Sequence, residues 1–385
     1  LIRMFTDKEL KEVIDDMFMD DTVDIIEEMP SGVVKRILKN ASPTDRATIN
    51  ELLEYPNDSA GTLMTTEYVA LRSYMTVDDA FDKIRSTGVN KETIYTCYVT
   101  DEKRKLLGIV SVKDLLLANR KEKLETIMES DIITVNTLTD KEEVGLIFSK
   151  YDLLALPVVD KEGCIVGIIT IDDAVDVIQD EATEDIQKMA AMLPTTDRPY
   201  LQTSVFKIYL SRLPWLLILM VSATLTSLIL GSFENKLMVY AALYACVPML
   251  MDTGGNAGSQ ASVTVIRSLA LGEVEFKDIF KVIWKELRTA LLLGLSVALV
   301  CFGKLLLIDK LYNPDMNVWY ALVISLSLFI TIIIAKLVGA ILPLLVKKCR
   351  LDPAVVASPF ITTIVDAVSL LVYCGIAFSI LPAVL

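Results

Sequence analysis

The 385-residue sequence contains no histidine, and its six cysteines are scattered, with no CxxC pair among them. Zinc sites and disulfide frameworks depend on closely spaced residues of these types, so both are disfavoured. Chemistry that needs an imidazole base is excluded. Any ion-binding or catalytic role must therefore rest on carboxylates, amides, hydroxyls and backbone carbonyls.

Positive charge is scarce in the first half of the chain. Residues 1–197 hold 22 Lys and Arg against 40 Asp and Glu, a net charge of −18, whereas residues 198–385 hold 15 and 10, a net charge of +5. Such an acidic region repels nucleic acid and attracts cations, so no nucleic-acid partner is expected. Hydrophobic residues make up 53% of the chain and the mean hydropathy is +0.50, which predicts a membrane protein with a soluble portion.

Five apolar stretches in the second half are long enough to cross a bilayer, which takes roughly 20 residues. They are predicted at about 213–231, 237–271, 290–308, 318–346 and 353–382. Lysine and arginine are concentrated in the loops after the second and fourth stretches, so these loops are expected on the cytoplasmic side. Alternation then places the acidic half in the cytoplasm and the C-terminus outside, in a multi-pass protein of the cell membrane.

The second stretch carries polar side chains at four-residue spacing, Asp252, Asn256 and Gln260, which form one stripe on a helix. A charge at membrane depth costs on the order of 3 kcal/mol. This cost favours a functional role over the alternative, a glycine-kinked packing helix that tolerates one carboxylate. Asp252 is expected about 15 residues from the outer end of its span, or about 22 Å along the helix axis.

Asp366 is the only charged residue of the fifth stretch, about 13 residues or roughly 20 Å from its inner end. Thr362, Ser369 and Tyr373 are predicted on the same helix face. Two carboxylates at similar depth predict a hydrated cation path. Oxygen ligands without histidine or cysteine suit a hard cation, and Mg²⁺ keeps much of its water and needs only one or two carboxylates.

An internal repeat occupies residues 64–180. LLGIVSVKDLLLA (106–118) aligns with IVGIITIDDAVDV (165–177) at an offset of 59 residues. Each copy alternates short β-rich runs with helical patterns, which predicts two small α/β modules. The repeat resembles a tandem CBS pair, a family in which this glycine-to-aspartate pattern is associated with adenine nucleotides.

The CBS resemblance implies ATP as a regulatory ligand, and the alternative is a pair that serves only as a dimerisation module. The candidate nucleotide-binding residues under this resemblance are Ser111, Asp114, Thr170 and Asp173.

The chain as a whole is interpreted as four regions: a helical N-domain (1–60), the two modules (61–172), an acidic linking helix (173–200) and the membrane region (201–385). The acids of the linking helix recur every three or four residues, which places several on one face. A solvated linker is the alternative for such a run of charge.

This order of regions resembles the MgtE family of magnesium channels, as do the motifs PMLMDTGGNAGSQ (248–260) and DPAVVASPFITTIVDA (352–367). The resemblance implies an all-α N-domain, an α/β CBS pair and an all-α membrane domain of five helices. It also implies a homodimer in the bilayer with the pore on its two-fold axis. The N-domain is shorter than in the family, and the chain is expected to be truncated at Leu1.

The resemblance assigns pore and regulatory roles to particular residues. Asp366 would be the pore aspartate, and the predicted pore residues are Asp252, Asn256, Thr362 and Asp366. The linking segment would be the family's plug helix, closed by intracellular Mg²⁺ that bridges its acids and those of the second module. The predicted regulatory residues are Glu142, Asp152, Asp173, Asp176, Glu181, Glu184 and Asp185.

Several alternatives to a magnesium channel remain open at the level of sequence. Mn²⁺ or Co²⁺ could be carried instead of Mg²⁺. The D-T-G sequence at Asp252, paired with Asp366, allows an intramembrane aspartyl protease. A membrane-bound nucleotide sensor without transport is a third alternative. The predicted function is not enzymatic.

Overall fold

The chain forms two compact units, an N-terminal unit (Leu1–Glu181) and a C-terminal unit (Ala182–Leu385). The computed structural model describes the backbone of residues 6–194, 200–238, 241–314, 316–356 and 358–380. Parts of four predicted segments lie outside these ranges: 1–5 of the N-domain, 195–199 of the linking helix, 239–240 of the second stretch, and 357 and 381–382 of the fifth. The helical N-domain, the two α/β modules and the long apolar helices of the C-terminal unit agree with the predicted fold class.

Four short helices begin the N-terminal unit: α1 (Asp7–Asp16), α2 (Met19–Glu28), α3 (Ser31–Asn40) and α4 (Pro43–Leu52). The start of α4 shows why they are short. The Ser42 hydroxyl accepts the backbone N–H of Asp45, and Pro43, which cannot continue a preceding helix, occupies the first helical position. One apolar face of each helix is buried in a shared core by Leu10, Val23, Ile37 and Ile49.

A short helix α5 (Ala60–Leu63) leads into two modules of the same topology. The first contains β1 (Ala70–Arg72), α6 (Val77–Thr87), β2 (Thr96–Thr100), β3 (Leu106–Ser111), α7 (Val112–Leu117) and α8 (Leu124–Ile127). The second contains β4 (Val135–Asn136), α9 (Lys141–Tyr151), β5 (Ala155–Val159), β6 (Ile165–Thr170) and α10 (Ile171–Met189). In both sheets the first strand runs parallel to the second, and the second runs antiparallel to the third.

Strand register reproduces the sequence repeat. Val99 pairs with Gly108 in the first sheet, and Val158 pairs with Gly167 in the second, so both partners differ by the predicted offset of 59. The register then shifts after the valine in each sheet. The irregularity is therefore part of the duplicated design.

The two modules exchange short backbone segments. Ile109 of the first sheet pairs with Glu129, which lies just before the second module, through reciprocal N–H···O bonds of 2.9 Å. Ile168 of the second sheet pairs with Thr65, which lies just before the first module, through bonds of 2.8 and 2.9 Å. Each sheet is therefore extended by the segment that precedes the other module.

The repeated glycines make this exchange sterically feasible. A Cβ on Gly108 would lie 2.7 Å from the Met128 sulfur, and a Cβ on Gly167 would lie 2.7 Å from the Thr65 carbonyl oxygen. The exchanged segment thus passes too close for any larger residue at either position.

The C-terminal unit is helical in its described residues. It contains α11 (Val205–Met238), α12 (Ala241–Tyr244), α13 (Val247–Ala270), α14 (Ile279–Lys304), a π-helical turn (Leu305–Asp309), α15 (Lys310–Tyr312), α16 (Val318–Lys348) and α17 (Ser358–Ile380). Among the described residues, four of these helices, α11, α14, α16 and α17, are long and apolar enough to cross a membrane. Helix α13 has 24 residues but is less apolar, because polar residues and glycines interrupt it.

The predicted start of the second span at 237 is wrong. The described chain has a separate short helix, α12, and α13 begins only at Val247, with Pro248 in its first turn. Proline lacks an N–H and favours the start of a helix, which explains the position. Asp252 therefore lies about 7.5 Å along α13 rather than 22 Å.

The fifth helix also begins later than predicted. A 3₁₀ turn (Pro353–Val356) precedes α17, which starts at Ser358. Asp366 therefore lies about 12 Å along this helix. Both carboxylates are in the first part of their helices, and α13 packs against α16 and α17.

Candidate functional site

A cavity of about 470 Å³ lies beside the first turns of α13. Its polar lining consists of Asp252, Asn256, Thr362 and Asp366. Its apolar lining comes from Leu230, Tyr244, Val247, Pro248 and Met251. The structure therefore brings all four predicted pore residues to one cavity, although the pair on α13 and the pair on α17 are more than 100 positions apart in sequence.

The polar stripe of α13 is exposed along its length. Asp252, Asn256 and Gln260 are exposed, whereas Ala257 and Ala261 on the opposite side are buried against neighbouring helices. The four-residue spacing in sequence thus corresponds to one open face of an otherwise packed helix.

Only part of the predicted polar face of α17 lines the cavity. Thr362 and Asp366 are half-buried at the cavity wall, but Ser369 and Tyr373 are buried. The Tyr373 hydroxyl donates a 2.8 Å hydrogen bond to the carbonyl of Leu243 in α12. The helical spacing places both residues on the predicted face of α17, but neither lines the cavity, and within the described residues the buried Ser369 hydroxyl has no hydrogen-bond partner.

Neither cavity carboxylate has a positively charged partner in the part of the chain that the structure describes, since no salt bridge includes Asp252 or Asp366. Carboxylates in an apolar surrounding are costly unless a cation or water compensates them. The cavity is therefore suited to a hydrated cation.

Glycines let α13 approach α17 closely at this level. A Cβ on Gly254 would lie 2.8 Å from the Ser369 hydroxyl, and one on Gly255 would lie 2.8 Å from the Thr362 methyl carbon. The hydroxyls of Ser259 and Thr362 are 3.5 Å apart. The close approach therefore fixes Thr362, and with it the face of α17 that carries Asp366.

A second charged pair lies within the C-terminal unit. Lys336 on α16 is 5% exposed, and its ammonium is 4.0 Å from the Glu286 carboxylate on α14. Neither residue of this pair is among the predicted site residues. Glu286 lies in the amphipathic start of α14, and its charge opposite to that of Lys336 was the available signal.

Two of the predicted regulatory acids on α10 have lysine partners that the sequence interpretation missed. In the N-terminal unit, the Lys141 ammonium lies 3.4 Å from Glu181 and 2.6 Å from Asp58. In the C-terminal unit, the Lys188 ammonium lies 2.5 Å from Glu184 and 2.6 Å from Asp352. The i,i+4 spacing of Glu184 and Lys188 was a detectable signal.

The surroundings of Lys188 shift the pKa values of two groups. Burial lowers the pKa of the Lys188 ammonium, but its bonds to Asp352 and Glu184 outweigh burial and raise it overall. Burial raises the pKa of Asp185, and the nearby Asp352 carboxylate adds to the rise. Asp185 therefore lies in a locally acidic environment.

A group of acids also gathers around the start of α10 in the N-terminal unit. Burial raises the pKa of Asp20 to about 7, with the Asp173 and Glu92 carboxylates adding to the rise. Burial likewise raises the pKa of Glu92 to about 7, with contributions from Asp172 and Asp173. Asp20 and Glu92 were not among the predicted regulatory residues, because no local spacing connects them with α10.

The remaining regulatory residues are exposed: Glu142, Asp152 and Asp176. Across the residues that the structure describes, no three acids, cysteines or histidines are positioned to hold a metal ion together. An ion that keeps its water shell and contacts one or two carboxylates remains compatible with this arrangement.

The predicted nucleotide-binding residues form local hydrogen bonds. Ser111 and Asp114 make a reciprocal capping box at the start of α7. The Thr170 hydroxyl donates a 2.8 Å bond to Asp173 at the start of α10. A [ST]-x-x-D pattern is also a helix-capping signal, so the pattern alone does not establish a nucleotide site.

Comparison with known proteins gives matches along the chain. A family model described as "Divalent cation transporter" (MgtE) matches residues 247–376, one described as "MgtE intracellular N domain" matches 1–58, and CBS domain models match 60–121 and 124–180.

Two curated relatives are similar to this chain over most of its length. A magnesium transporter MgtE of Thermus thermophilus is 38% identical over 94% of this chain and 79% of its own length. The magnesium transporter MgtE of Bacillus subtilis is 35% identical over 93% of this chain and 77% of its own length.

Two crystal structures also match. The soluble part of a magnesium transporter is 31% identical, with a TM-score of 0.46, over 47% of this chain and 71% of that one. The cytosolic domain of the Mg²⁺ channel MgtE in complex with ATP is 36% identical, with a TM-score of 0.42, over 46% of this chain and 77% of that one. From the family models and the curated relatives together, the chain belongs to the MgtE family of membrane transporters.

Proposed function

We propose that the chain is a channel that imports Mg²⁺ across the cell membrane. We further propose that intracellular Mg²⁺ closes this channel. The observation that carries the proposal is the cavity lined by Asp252 and Asp366, two carboxylates for which the described residues supply no positively charged partner. The curated relatives named magnesium transporters support it. Transport of this kind is not a class of enzyme chemistry.

The ligand chemistry of the cavity suits a hydrated hard cation. Asp252 and Asp366 supply charge, while Asn256 and Thr362 supply neutral oxygens. Mg²⁺ dehydrates reluctantly and is held by few carboxylates, so a sparse site in a cavity of about 470 Å³ is adequate. Mn²⁺ and Co²⁺ prefer related oxygen and nitrogen ligands and are the nearest alternative cargo.

A homodimer would explain the open face of α13. Asp252, Asn256 and Gln260 are exposed on the single chain, and lipid cannot hydrogen-bond such side chains. A second copy placed across a two-fold axis would cover this stripe. Each copy would then contribute one Asp366 to a shared path.

The electrical driving force supports import. The N-terminal unit is proposed to lie in the cytoplasm and the C-terminus outside. A divalent cation moving inward through a channel gains about 4.6 kcal/mol per 100 mV of inside-negative potential. No separate energy source is then required.

Gating is proposed to depend on the acids of α10 and of the second module. Residues 1–197 carry a net charge of −18, so they repel one another unless cations compensate them. Mg²⁺ bound between these acids would favour a closed arrangement. An ion needs to favour that state by only about 5.5 kcal/mol to move it from 1:99 to 99:1.

ATP is proposed as a regulatory ligand of the CBS pair. A cytosolic domain of MgtE, 36% identical to this chain, has been solved in complex with ATP. The repeated patterns ending at Asp114 and Asp173 supply the candidate residues. Calorimetry of the full chain with ATP tests the proposal, and no heat at millimolar ATP would contradict it.

Ion flux into liposomes tests the transport function. Purified chain is reconstituted with a Mg²⁺-sensitive dye inside, and Mg²⁺, Mn²⁺ and Co²⁺ are added outside in turn. We expect Mg²⁺ entry that increases with an inside-negative potential. Faster entry of Mn²⁺ or Co²⁺ would reassign the cargo. Absence of flux, with ATP binding or peptide cleavage instead, would favour the nucleotide sensor or the protease.

A further inference from the structure

Lys188 lies at the junction of α10 and the entrance to α17. It is in the last turn of α10, and its side chain is 22% exposed. Its ammonium contacts two carboxylates at once, Glu184 one turn earlier at 2.5 Å and Asp352 at 2.6 Å. The first contact lies within the helix, whereas the second joins residues that are 164 positions apart.

Asp352 connects this contact to the pore helix. One carboxylate oxygen accepts the Lys188 ammonium, and the other accepts the backbone N–H of Ala354 at 2.8 Å. The second bond caps the 3₁₀ turn (Pro353–Val356) that leads into α17. Lys188 is therefore joined through one side chain to the start of the helix that carries Asp366.

Apolar packing accompanies the ionic contact. Met189 packs against a small cluster formed by Ile266 near the end of α13 and Ala354 before α17. The last turn of α10 thus contacts the end of α13 and the turn before α17, the two helices that carry the polar lining of the cavity. Neither the salt bridge nor the packing requires a bound metal ion.

We propose that Lys188 is a positioning residue of the gate: a cation carried by the chain that holds the end of α10 on the entrance to α17 without Mg²⁺. This inference rests on the proposed function, in which that docked arrangement is the closed one. Regulatory Mg²⁺ then completes a contact that Lys188 has already begun. The consequence is that Lys188 helps to set the Mg²⁺ concentration at which the channel closes.

The opposite effect is physically possible and gives the test its direction. If Lys188 instead competed with Mg²⁺ for Glu184 and Asp352, its removal would make closure easier. If it positions the helix, its removal makes closure harder. The sign of the change therefore distinguishes the two roles.

Lys188→Gln removes the charge and retains a polar side chain. We expect the internal Mg²⁺ concentration that halves the current to rise roughly threefold to tenfold, since partly exposed ion pairs contribute modestly. Lys188→Arg should stay within about twofold of the parent, because a guanidinium can hold two carboxylates. Lys161→Gln, an exposed position in the second module, makes the same change in net charge and should have no effect.

The outcomes of patch recording at stepped internal Mg²⁺ are decisive. A lower closing concentration in Lys188→Gln would overturn the proposal in favour of competition. An unchanged closing concentration in Lys188→Gln would also overturn the proposal, because it would show that the Lys188 charge does not affect gating. Rescue by exchanging the charges, Lys188→Asp together with Asp352→Lys, would support the pairwise contact.

A second measurement requires no ion flux and so separates this inference from the proposed function. Met189→Cys and Ala354→Cys are introduced together and crosslinked with a short bismaleimide in the presence of a chelator. The single-cysteine variants control for the native thiols. We expect the added change Lys188→Gln to reduce crosslinking several-fold. Undiminished crosslinking would overturn the positioning role even if the parent chain conducts Mg²⁺.

Discussion

Glu181 and Glu184 on α10 each lie against a lysine ammonium, whereas Asp252 on α13 and Asp366 on α17 line a cavity to which the described part of the chain brings no ammonium or guanidinium. The negative charge of a carboxylate that contacts a lysine of the same chain is balanced even when no free ion is present. A carboxylate without one depends on water or an ion from solution. The difference separates residues suited to regulation from residues suited to conduction.

The largest expected effect comes from removing charge at the cavity. Asp366→Asn keeps the shape of the side chain but removes the carboxylate, so Mg²⁺ flux should fall by about 100-fold or more, equivalent to roughly 3 kcal/mol. Liposome flux measures the loss. Ser379→Ala, an exposed position on the same helix, is the matched control and should keep parental flux. Parental flux in Asp366→Asn would remove the distinction between the two sets of carboxylates.

The next effect concerns three acids of α10, the two that pair with lysines and the neighbouring Asp185. Joint neutralisation by Glu181→Gln, Glu184→Gln and Asp185→Asn should raise the inhibitory Mg²⁺ concentration by tenfold or more, because an ion without preference for one state shifts nothing. Loss of repulsion between the acids acts in the opposite direction and would instead give a channel closed at low Mg²⁺. Patch recording at stepped internal Mg²⁺ distinguishes these outcomes.

A matched control removes three exposed acids from the first module, at Asp78, Asp82 and Glu102. This variant makes the same change in net charge and should retain parental inhibition. An equal shift in the control would show that total charge, and not the acids of α10, sets the response.

A smaller effect is expected from the packing that places Asp366. Gly255→Ala would bring a Cβ within 2.8 Å of the Thr362 methyl carbon, so α17 must shift by a few tenths of an ångström. We expect flux to fall roughly fivefold. This corresponds to a loss of about 1 kcal/mol of ion stabilisation in the pore, because each 1.4 kcal/mol is a factor of ten. Gly375→Ala has no atom within 4 Å of its new Cβ and should keep parental flux. Equal flux in the two variants would contradict the packing argument.

The smallest expected effect concerns two carboxylates outside the cavity, Asp20 and Glu92, which form no salt bridge with a lysine among the described residues. The pKa values of Asp20 and Glu92 are raised to about 7, above roughly 4 for free carboxylates. Their contribution to stability is therefore fully present below about pH 4 and is lost as the pH rises through about 7. At pH 8 both are ionised and repel their neighbours.

Asp20→Asn with Glu92→Gln should relieve this repulsion. Without Mg²⁺ at pH 8, hydrogen exchange of the α2 amides should slow about threefold to fivefold, whereas at pH 5 the variant should resemble the parent. Mg²⁺ at pH 8 should slow exchange in the parent more than in the variant. If the variant and the parent exchanged at equal rates at pH 8 as well as at pH 5, the raised pKa values would be contradicted.

The sequence predicted features that depend on local period or on composition. The offset of 59 reappears in the pairing of Val99 with Gly108 and of Val158 with Gly167. The four-residue spacing of Asp252 and its neighbours likewise reappears as an exposed stripe, because one helix geometry governs both.

Features that depend on tertiary contacts were missed. The start of α13 at Val247, the burial of Tyr373 and the pairing of Lys188 with Asp352 each require residues that are remote in sequence. Hydropathy merged α12 with α13, since an apolar turn between helices leaves no mark in composition. Likewise, the large number of acids in this region gave no indication of which acids pair with its few lysines.

The backbone exchange between the two modules has a consequence for how the chain folds. A single module cut from its neighbour would expose the free edge of β3 or β6, because the strand that covers it belongs to the other half. Free edges invite intermolecular pairing and aggregation. The β3 edge can be covered once the chain reaches Glu129, whereas the β6 edge depends on Thr65, which precedes the whole first module. Thr65 can pair only after Ile168, more than 100 residues later, has been synthesised. Closing this long loop adds a slow step to folding.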